Sequence, residues 1–289
     1  MAITYEAVKN LSAQLYDWSL RKVPDDAQIA LRGLLETEGH ETARKTLTFM
    51  LASADAAERS QRFVCSDAGV PVYLMRIGTA ARMEGPIKQA FTDGFAELVA
   101  RIEPPLLDHV TNPLTLQRGH SGRNMPLVTY ELIDDADYVE IICSPKALGS
   151  GRWAALEIFS FPTLEVIERY VLEVVIKAGS QPCPPVVIGV GIGGSFDYAA
   201  KMAKQATLRP VGQAHPEAIV AAMEQRLLAA VNKTGFGPMG TGGDATSMAV
   251  HVDYSAGHGF TPVAVCFNCW INRRTSARIY NDGRVERID

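Results

Sequence analysis

Apolar positions near the N-terminus recur every three or four residues, which is the spacing of one face of an α-helix. The first such face carries Val8, Leu11, Leu15 and Trp18, and apolar residues continue after Pro24 at Ile29, Leu31, Leu34 and Leu35. A third helical stretch covers about 41–60. The N-terminal part, about residues 1–62, is therefore predicted to be mainly helical.

Later in the chain, short apolar runs alternate with helical stretches. The runs predict strands at about 70–77, 127–133, 138–143, 186–190, 247–254 and 261–267. The helical stretches are 86–102, 163–178, 195–206 and 216–232. The polar residues 134–137 separate two of the predicted strands, and they indicate a β-hairpin with a four-residue loop.

The order of these elements favours an α+β fold, in which N-terminal helices pack on mixed β-sheets with interspersed helices. A chain of 289 residues can bury a substantial core without a disulfide or a structural metal. No internal repeat, low-complexity tract or long linker interrupts it. We therefore predict a single domain over 1–289.

Composition and charge exclude several classes of protein. With 47% hydrophobic and 21% charged residues, the chain has the composition of a folded soluble protein. Its net charge of −4 and the absence of a run of Lys or Arg argue against a nucleic acid or an anionic membrane as partner. The N-terminus lacks a signal-peptide core and no segment has the length of a membrane helix, so we expect a cytoplasmic protein.

The five cysteines are an odd number without the close spacing of a secreted disulfide framework, so we expect reduced thiols. Thiols in a reducing compartment can bind metal, although most buried free cysteines are small packing residues. Cys266 and Cys269 form a C-x-x-C, but no second such pair completes a zinc site. We interpret Cys266 and Cys143 as core residues of strands.

A glycine-rich motif, G-x-G-x-x-G at 189–194, stands between a predicted strand and a predicted helix. Three interpretations are open: a dinucleotide site, which would lack the acidic ribose contact about 20 residues later, a tight turn, or a helix N-terminus whose N–H groups stabilise an anion near Cys183. The candidate cofactor contacts are Gly191, Gly193 and Gly194.

Three stretches together resemble the class I fumarase and L-tartrate dehydratase alpha-subunit family. They are CPPVVIGVGIGGSFDYAAKMAKQATLRP at 183–210, NKTGFGPMGTGG at 232–243 and PVAVCFNCWINRR at 262–274. Their order and spacing agree with that family, as does the chain length, and the resemblance extends from about residue 30 to 275. It implies the α+β fold of an iron–sulfur hydro-lyase alpha region.

The resemblance implies that Cys65, Cys183 and Cys269 bind a [4Fe–4S] cluster. Three thiolates leave one iron without a protein ligand, and that iron can act as a Lewis acid on a substrate hydroxyl and carboxylate. The implied reaction is the reversible hydration or dehydration of a small hydroxy acid. A beta subunit in an α2β2 heterotetramer is also implied, because the family's second module has no counterpart after Arg274.

Further site residues follow from matching positions. Asp67, within Cys65-Ser-Asp-Ala-Gly69, matches an acidic residue that orients substrate or relays a proton, although an aspartate there can also serve the turn alone. His258 matches an active-site histidine, and its alternative is a solvent-facing loop residue. The residues that match a substrate-binding K-G-x-G-S segment are Lys146, Gly149 and Ser150.

The chain departs from the family pattern mainly in substrate handling. The family's C-Q-D-T-G has become C-S-D-A-G, and Leu107 replaces an arginine that would bind a carboxylate. Trp153 follows the altered glycine segment. We therefore expect a substrate with one bulkier or less charged end, unless Arg123 or Arg152 supplies the missing charge.

Two alternatives to the hydro-lyase remain. The first is a non-catalytic or regulatory relative that keeps the fold. The second is a nucleotide-dependent oxidoreductase that uses the glycine motif and binds no iron. An iron-free protein after cluster reconstitution would rule out the main interpretation.

Overall fold

Helices and strands in the computed structural model, which describes residues 1–288, confirm the predicted α+β class. The helices are α1 Tyr5–Arg21, α2 Asp25–Thr37, α3 Glu41–Ser60, α4 Ile87–Arg101, α5 Leu148–Arg152, α6 Leu164–Ala178, α7 Phe196–Ala206 and α8 Ala218–Asn232, with a 3-10 turn at Pro238–Gly240. The strands are β1 Ile3–Thr4, β2 Val72–Gly78, β3 Met83–Glu84, β4 Val110–Thr111, β5 Arg118–Gly119, β6 Leu127–Ile133, β7 Tyr138–Cys143, β8 Ala155–Ser160, β9 Val186–Gly193, β10 Ser247–Ser255, β11 Phe260–Asn268, β12 Thr275–Tyr280 and β13 Val285–Arg287.

The chain divides into two compact units, each assembled from separate stretches of sequence. The first unit contains residues 1–24, 54–147 and those from Arg273 onward, and the second contains 25–53 and 148–272. The prediction of a single domain over 1–289 stays a prediction. In the described part of the chain, no helix combines the length and apolarity needed to cross a membrane.

The first unit is built on a five-stranded sheet with the strand order β13-β12-β7-β2-β6. The apolar face of α1 packs here together with α4, and its Val8, Leu11 and Leu15 are buried as predicted. Two aromatic pairs fill this core, Tyr16 against Phe95 and Tyr73 against Phe91. The N-terminal helix is thus stabilised mainly by burial of its apolar face.

The predicted hairpin between β6 and β7 is wrong, although both strands have the predicted bounds. The two strands lie on opposite sides of β2, which pairs parallel with β6 and antiparallel with β7. Residues 134–137 pass the end of β2 at Gly78, where a Cβ would lie 2.2 Å from the Ala136 oxygen. The absence of a side chain at Gly78 therefore permits a crossing that the loop length alone did not indicate.

The second unit contains a four-stranded sheet with the order β10-β9-β11-β8, in which β9 and β10 are parallel and β11 is antiparallel to β9 and β8. One face carries valine and isoleucine side chains that pack with those of α6 and α8. The other face is small, with Ala264 and Cys266 beside Ala199 and Ala203 of α7. This placement of Cys266 fits its interpretation as a packing residue.

Some elements differ from the prediction at their edges. Helix α8 begins at Ala218, so Pro216 lies just outside it. Ile29 is 68% exposed while Leu31 is fully buried, because two residues of helix rotate the side chain by about 200°. The strands β8, β12 and β13 and the two-residue strands β1, β3, β4 and β5 were not predicted.

Candidate active site

The turn that carries Cys65 and Asp67 lies in the first unit, between α3 and β2. Its last residue, Gly69, has φ +77°, and a Cβ there would lie 2.6 Å from the Lys146 carbonyl carbon, so glycine is required. The buried Tyr16 hydroxyl donates to the Gly69 oxygen at 2.7 Å. Val70 and Lys146 exchange backbone hydrogen bonds of 3.0 and 3.1 Å. The turn is therefore fixed at its C-terminal end.

His109 is a neighbour of Asp67 that the sequence motifs did not reveal. Its Nε2 lies 3.5 Å from Asp67 Oδ1 and accepts a hydrogen bond of 3.2 Å from the Ala68 N–H. The same N–H also donates to the Ser66 oxygen at 3.0 Å. The side chains of His109 and Asp67 are 24% and 32% exposed, so the pair is partly shielded from water. The sequence offered one signal for His109, which lies two positions after Leu107, in a segment that was compared with the family pattern.

Tyr16, which donates to the turn, lies in an environment that shifts its pKa. Burial raises the pKa of Tyr16 well above its usual value, Cys143 and Asp67 add to this, and Arg273 opposes it. The phenol therefore stays protonated at neutral pH and can donate to the turn. Arg273 itself is only 4% exposed, and within residues 1–288 its Nε and Nη2 have no hydrogen-bond partner.

The backbone segments that carry Cys183 and Cys269 are in contact in the second unit. The N–H of Trp270, the residue after Cys269, donates to the Cys183 oxygen at 3.1 Å. Both thiols are partly exposed and neither is in a disulfide. Cys183 has φ +60°, a conformation that few non-glycine residues adopt and that occurs often at functional sites. By contrast, Cys143 is fully buried in the core of the first unit, as predicted.

The K-G-x-G-S counterpart is divided between the two units. Lys146 belongs to the first, where it forms the backbone bridge to Val70. Gly149 and the buried Ser150 belong to the short helix α5 in the second. A Cβ at Gly149 would lie 3.9 Å from the Cys183 Sγ. Gly149 therefore lies beside one predicted ligand.

The remaining predicted site residues are on the surface of their units. His258 is exposed in the turn between β10 and β11, stacked on Phe260 at a centroid distance of 5.2 Å. Arg123 is exposed in the loop before β6. Arg152 is also exposed, and its guanidinium lies 5.3 Å from the centre of the Trp153 ring.

Most of the glycine motif lies in a strand rather than in a loop. Strand β9 continues through Gly193, so Gly191 lies inside the sheet, and the N–H of Gly194 donates to the Ser255 oxygen at 3.1 Å. The Gly194 N–H is therefore already used in a backbone hydrogen bond. Contact of Gly191, Gly193 and Gly194 with a cofactor stays a prediction.

Close packing explains two of these glycines. A Cβ at Gly189 would lie 2.0 Å from the Ala203 oxygen, and one at Gly191 would lie 2.1 Å from the Ala199 oxygen. The glycines thus let α7 approach the sheet backbone. This contact accounts for them without a nucleotide.

Replacing Gly191 with alanine is expected to destabilise the chain by at least about 1–3 kcal/mol, because the added methyl group forces β9 and α7 apart. The matched control is Gly33→Ala in α2, where an added methyl group would have no atom within 4 Å. That control should be neutral or stabilising by about 0.5–1 kcal/mol. Urea unfolding of both variants gives the comparison, and equal midpoints would contradict the packing explanation.

A further group of three polar side chains was not predicted. Potential ligand atoms of Glu38, His40 and Asp244 lie within 4.8 Å of one another in the second unit. Glu38 is 3% exposed and accepts backbone hydrogen bonds from His40, Asp244 and Ala245 at 2.8–3.0 Å. These bonds give the buried carboxylate a structural function, which is to hold the segment after Gly243 against the end of α2.

Comparison with known proteins identifies the family. The model of the family described as Fumarate hydratase (Fumerase) matches residues 9–278. The chain belongs to the class I fumarate hydratase family. This family consists of hydro-lyases, enzymes that add water to a carbon–carbon double bond or remove it.

Relatives of this chain are named as alpha subunits. A Methanocaldococcus jannaschii protein, provisionally named L(+)-tartrate dehydratase subunit alpha, is 34% identical over 286 residues, which is 96% of this chain and 99% of the relative. The L(+)-tartrate dehydratase subunit alpha of Escherichia coli (strain K12) is 28% identical over 289 residues, with 98% and 93% coverage. The Shigella boydii protein of the same name has the same identity and coverage. The resemblance inferred from sequence motifs is thereby confirmed.

Proposed function

We propose that this chain is the cluster-carrying alpha subunit of a [4Fe–4S]-dependent hydro-lyase that acts on a small hydroxy acid. The proposed ligands are Cys65, Cys183 and Cys269. The observation that carries the proposal is the backbone contact that joins the Cys269–Trp270 segment to Cys183, in a member of a hydro-lyase family. Two partly exposed thiols are thus available on neighbouring segments.

The donor set fits such a cluster. Thiolates are the usual ligands of iron–sulfur clusters, and N–H groups that donate to the sulfurs tune the reduction potential of the cluster. Cys183 and Cys269 are partly exposed reduced thiols, and the backbone N–H of Asn272 donates to the Cys269 oxygen at 2.8 Å. The buried Asn272 Nδ2 has no hydrogen-bond partner within residues 1–288. An unpaired buried donor beside a predicted ligand supports binding of an acceptor-rich group.

When bound, a cluster held by three thiolates supplies one iron without a protein ligand, which acts as a Lewis acid on the substrate. The chain's own side chains supply orientation, charge and proton transfer. We assign Asp67 to orienting substrate or carrying the proton alpha to the carboxylate, and His258 to proton transfer near neutral pH. Positive charge for a substrate carboxylate comes from Lys146 and Arg123, and hydrogen bonds come from Gly149 and Ser150.

The substrate we propose resembles tartrate or fumarate but has one bulkier or less charged end. The support is chemical: Leu107, at the position of an arginine in the family pattern, is 54% exposed and cannot bind a carboxylate. Trp153, however, packs against the core of the second unit, which gives this residue a structural explanation. The altered specificity therefore depends more on Leu107 than the sequence alone indicated.

We further propose a separate beta subunit in an α2β2 assembly. The support is that the relatives which match this chain along nearly its whole length are named subunit alpha. We expect little activity from the alpha chain in the absence of this beta subunit.

Iron and sulfide analysis after anaerobic purification and reconstitution tests the cofactor. We expect about four irons and four sulfides per chain, because a [4Fe–4S] cluster has that composition. A colourless, iron-free protein would overturn the proposal and would favour the nucleotide-dependent alternative if nicotinamide or flavin bound instead. A protein that holds the cluster but has no hydro-lyase activity with its beta subunit would favour the non-catalytic relative.

Steady-state assays of the complex with its beta subunit test the substrate. We expect a higher kcat/KM for an alkyl-substituted analogue than for fumarate, L-malate or L-tartrate, because an apolar side chain has replaced a bidentate cation. High turnover of unsubstituted fumarate would contradict the expectation and would indicate that another cation, such as Arg123, restores carboxylate binding.

A further inference from the structure

Within the first unit, a short two-stranded hairpin brings a histidine to the turn of Asp67. Strands β4 and β5 pair at Val110–Gly119 and Thr111–Arg118, so His109 and His120 are the next opposing positions of this ladder. His120 Nε2 lies 3.0 Å from Asp108 Oδ1, and because the Asp108 side chain is 60% exposed this contact contributes little to the hairpin. At the tip, Asn112 Oδ1 accepts from the Leu114 N–H at 2.9 Å. The hairpin is therefore held mainly by its strand pairing and by the turn at its tip.

We propose that His109 is a positioning residue for Asp67, which sets the orientation of its carboxylate for the reaction. The inference rests on the proposed function, in which Asp67 faces the substrate. His109 acts through the hydrogen bond that its Nε2 accepts from the Ala68 N–H and through steric contact of the same nitrogen with Asp67 Oδ1, at 3.5 Å. One side chain from outside the turn thus contacts both the carboxylate and the backbone that carries it.

The acceptor role of Nε2 defines the tautomer of His109. A neutral imidazole has one donor and one acceptor nitrogen, so a ring that accepts the Ala68 N–H through Nε2 carries its proton on Nδ1. The ring then lies against the backbone directly after Asp67 and fills the space beside one carboxylate oxygen. It thereby limits the rotations open to the Asp67 side chain. Loss of the ring should leave the fold intact, because Ala68 retains its bond to Ser66 and Gly69 retains its bond to Tyr16.

Two substitutions and a matched control test this function. His109→Leu removes the acceptor, whereas His109→Gln can place an amide oxygen close to the position of Nε2. His120→Leu is the control, because it removes the opposing histidine of the same hairpin, which pairs with Asp108 rather than with the turn. All four proteins are purified anaerobically as the full chain with the beta subunit, and iron content is measured first.

The assay measures dehydration of L-tartrate, or of the analogue that the wild-type complex turns over fastest. We expect His109→Leu to lower kcat by roughly 10- to 100-fold, because misplacing a catalytic group by about 1 Å costs that much. KM should change by less than about threefold. His109→Gln should recover most of kcat, and His120→Leu should stay near wild type. Iron content should be unchanged in all variants. An equal loss in His120→Leu, a wild-type kcat in His109→Leu, or no recovery by glutamine would overturn the proposal.

Amide hydrogen exchange distinguishes failure of the His109 proposal from failure of the proposed function. The Ala68 N–H should exchange faster in His109→Leu than in wild type or His109→Gln, since one of its two acceptors is lost. Unchanged exchange would overturn the proposed anchoring even if activity fell. A wild-type complex without iron or hydro-lyase activity would refute the proposed function and, with it, a function of His109 in that reaction. The exchange rate of the Ala68 N–H would still decide whether His109 holds the turn.

Discussion

Replacing Cys269 with serine is expected to abolish cluster binding and hydro-lyase activity, whereas the same change at Cys266 should leave both near wild type. The two cysteines are three positions apart, and both are partly exposed free thiols. Their environments differ: Cys266 lies in β11 beside the small side chains under α7, and Cys269 follows the strand, on the segment that contacts Cys183. We therefore expect Cys269, rather than Cys266, to bind the cluster together with Cys183.

Serine is a suitable replacement because it keeps the size of the side chain and removes the soft thiolate that iron prefers. The measurement is iron and sulfide per chain after anaerobic reconstitution, followed by turnover with the beta subunit, and thermal unfolding reports whether each variant folds. Full iron content in Cys269→Ser would contradict the ligand assignment. Loss of iron in Cys266→Ser with an unchanged unfolding temperature would instead show that the wrong cysteine of the pair has been assigned to the cluster.

The local elements could be predicted from the sequence because their signals are local. Helices α1, α3 and α6 follow from apolar spacing, and Thr163 caps α6 with its side chain, accepting from the Val166 N–H at 3.4 Å. Strand pairing could not be predicted in the same way. The crossing of residues 134–137 past Gly78 depends on a backbone contact between residues far apart in the sequence, and no periodicity reports such a contact.

The candidate site shows the same division. Family motifs predicted the cysteines, Asp67 and Gly149 as site residues, because each motif lies in a single short segment of the sequence. His109 was missed because its contact with Ala68 depends on a hairpin that brings it to a turn 41 residues earlier in the chain. The glycine motif shows a structural function that the pattern did not specify: Gly189 and Gly191 permit close packing of α7 on the sheet.

Replacing Asp67 with asparagine is expected to lower kcat by about 10²–10⁴-fold, the usual contribution of a positioned acid or base, while iron binding and folding persist. Asparagine has nearly the same shape, and the Asp67 side chain is 32% exposed, so the change does not create a cavity. It removes the negative charge and the ability to accept a proton. The effect should therefore appear in kcat more than in KM.

The control is Asp108→Asn in the nearby hairpin. Asp108 is also an aspartate with a histidine partner, at 3.0 Å from His120, but this contact lies within the hairpin rather than at the turn of Cys65. Steady-state kinetics of both variants, in complexes with matched iron content, isolate the chemical contribution of Asp67 from any general effect of losing an acidic group. If Asp67→Asn kept more than about half of the wild-type kcat, Asp67 would not carry a proton, because such a loss is far below the range for a positioned acid or base. An equal decrease in both variants would indicate that the net charge of this region, rather than the carboxylate beside His109, supports the reaction.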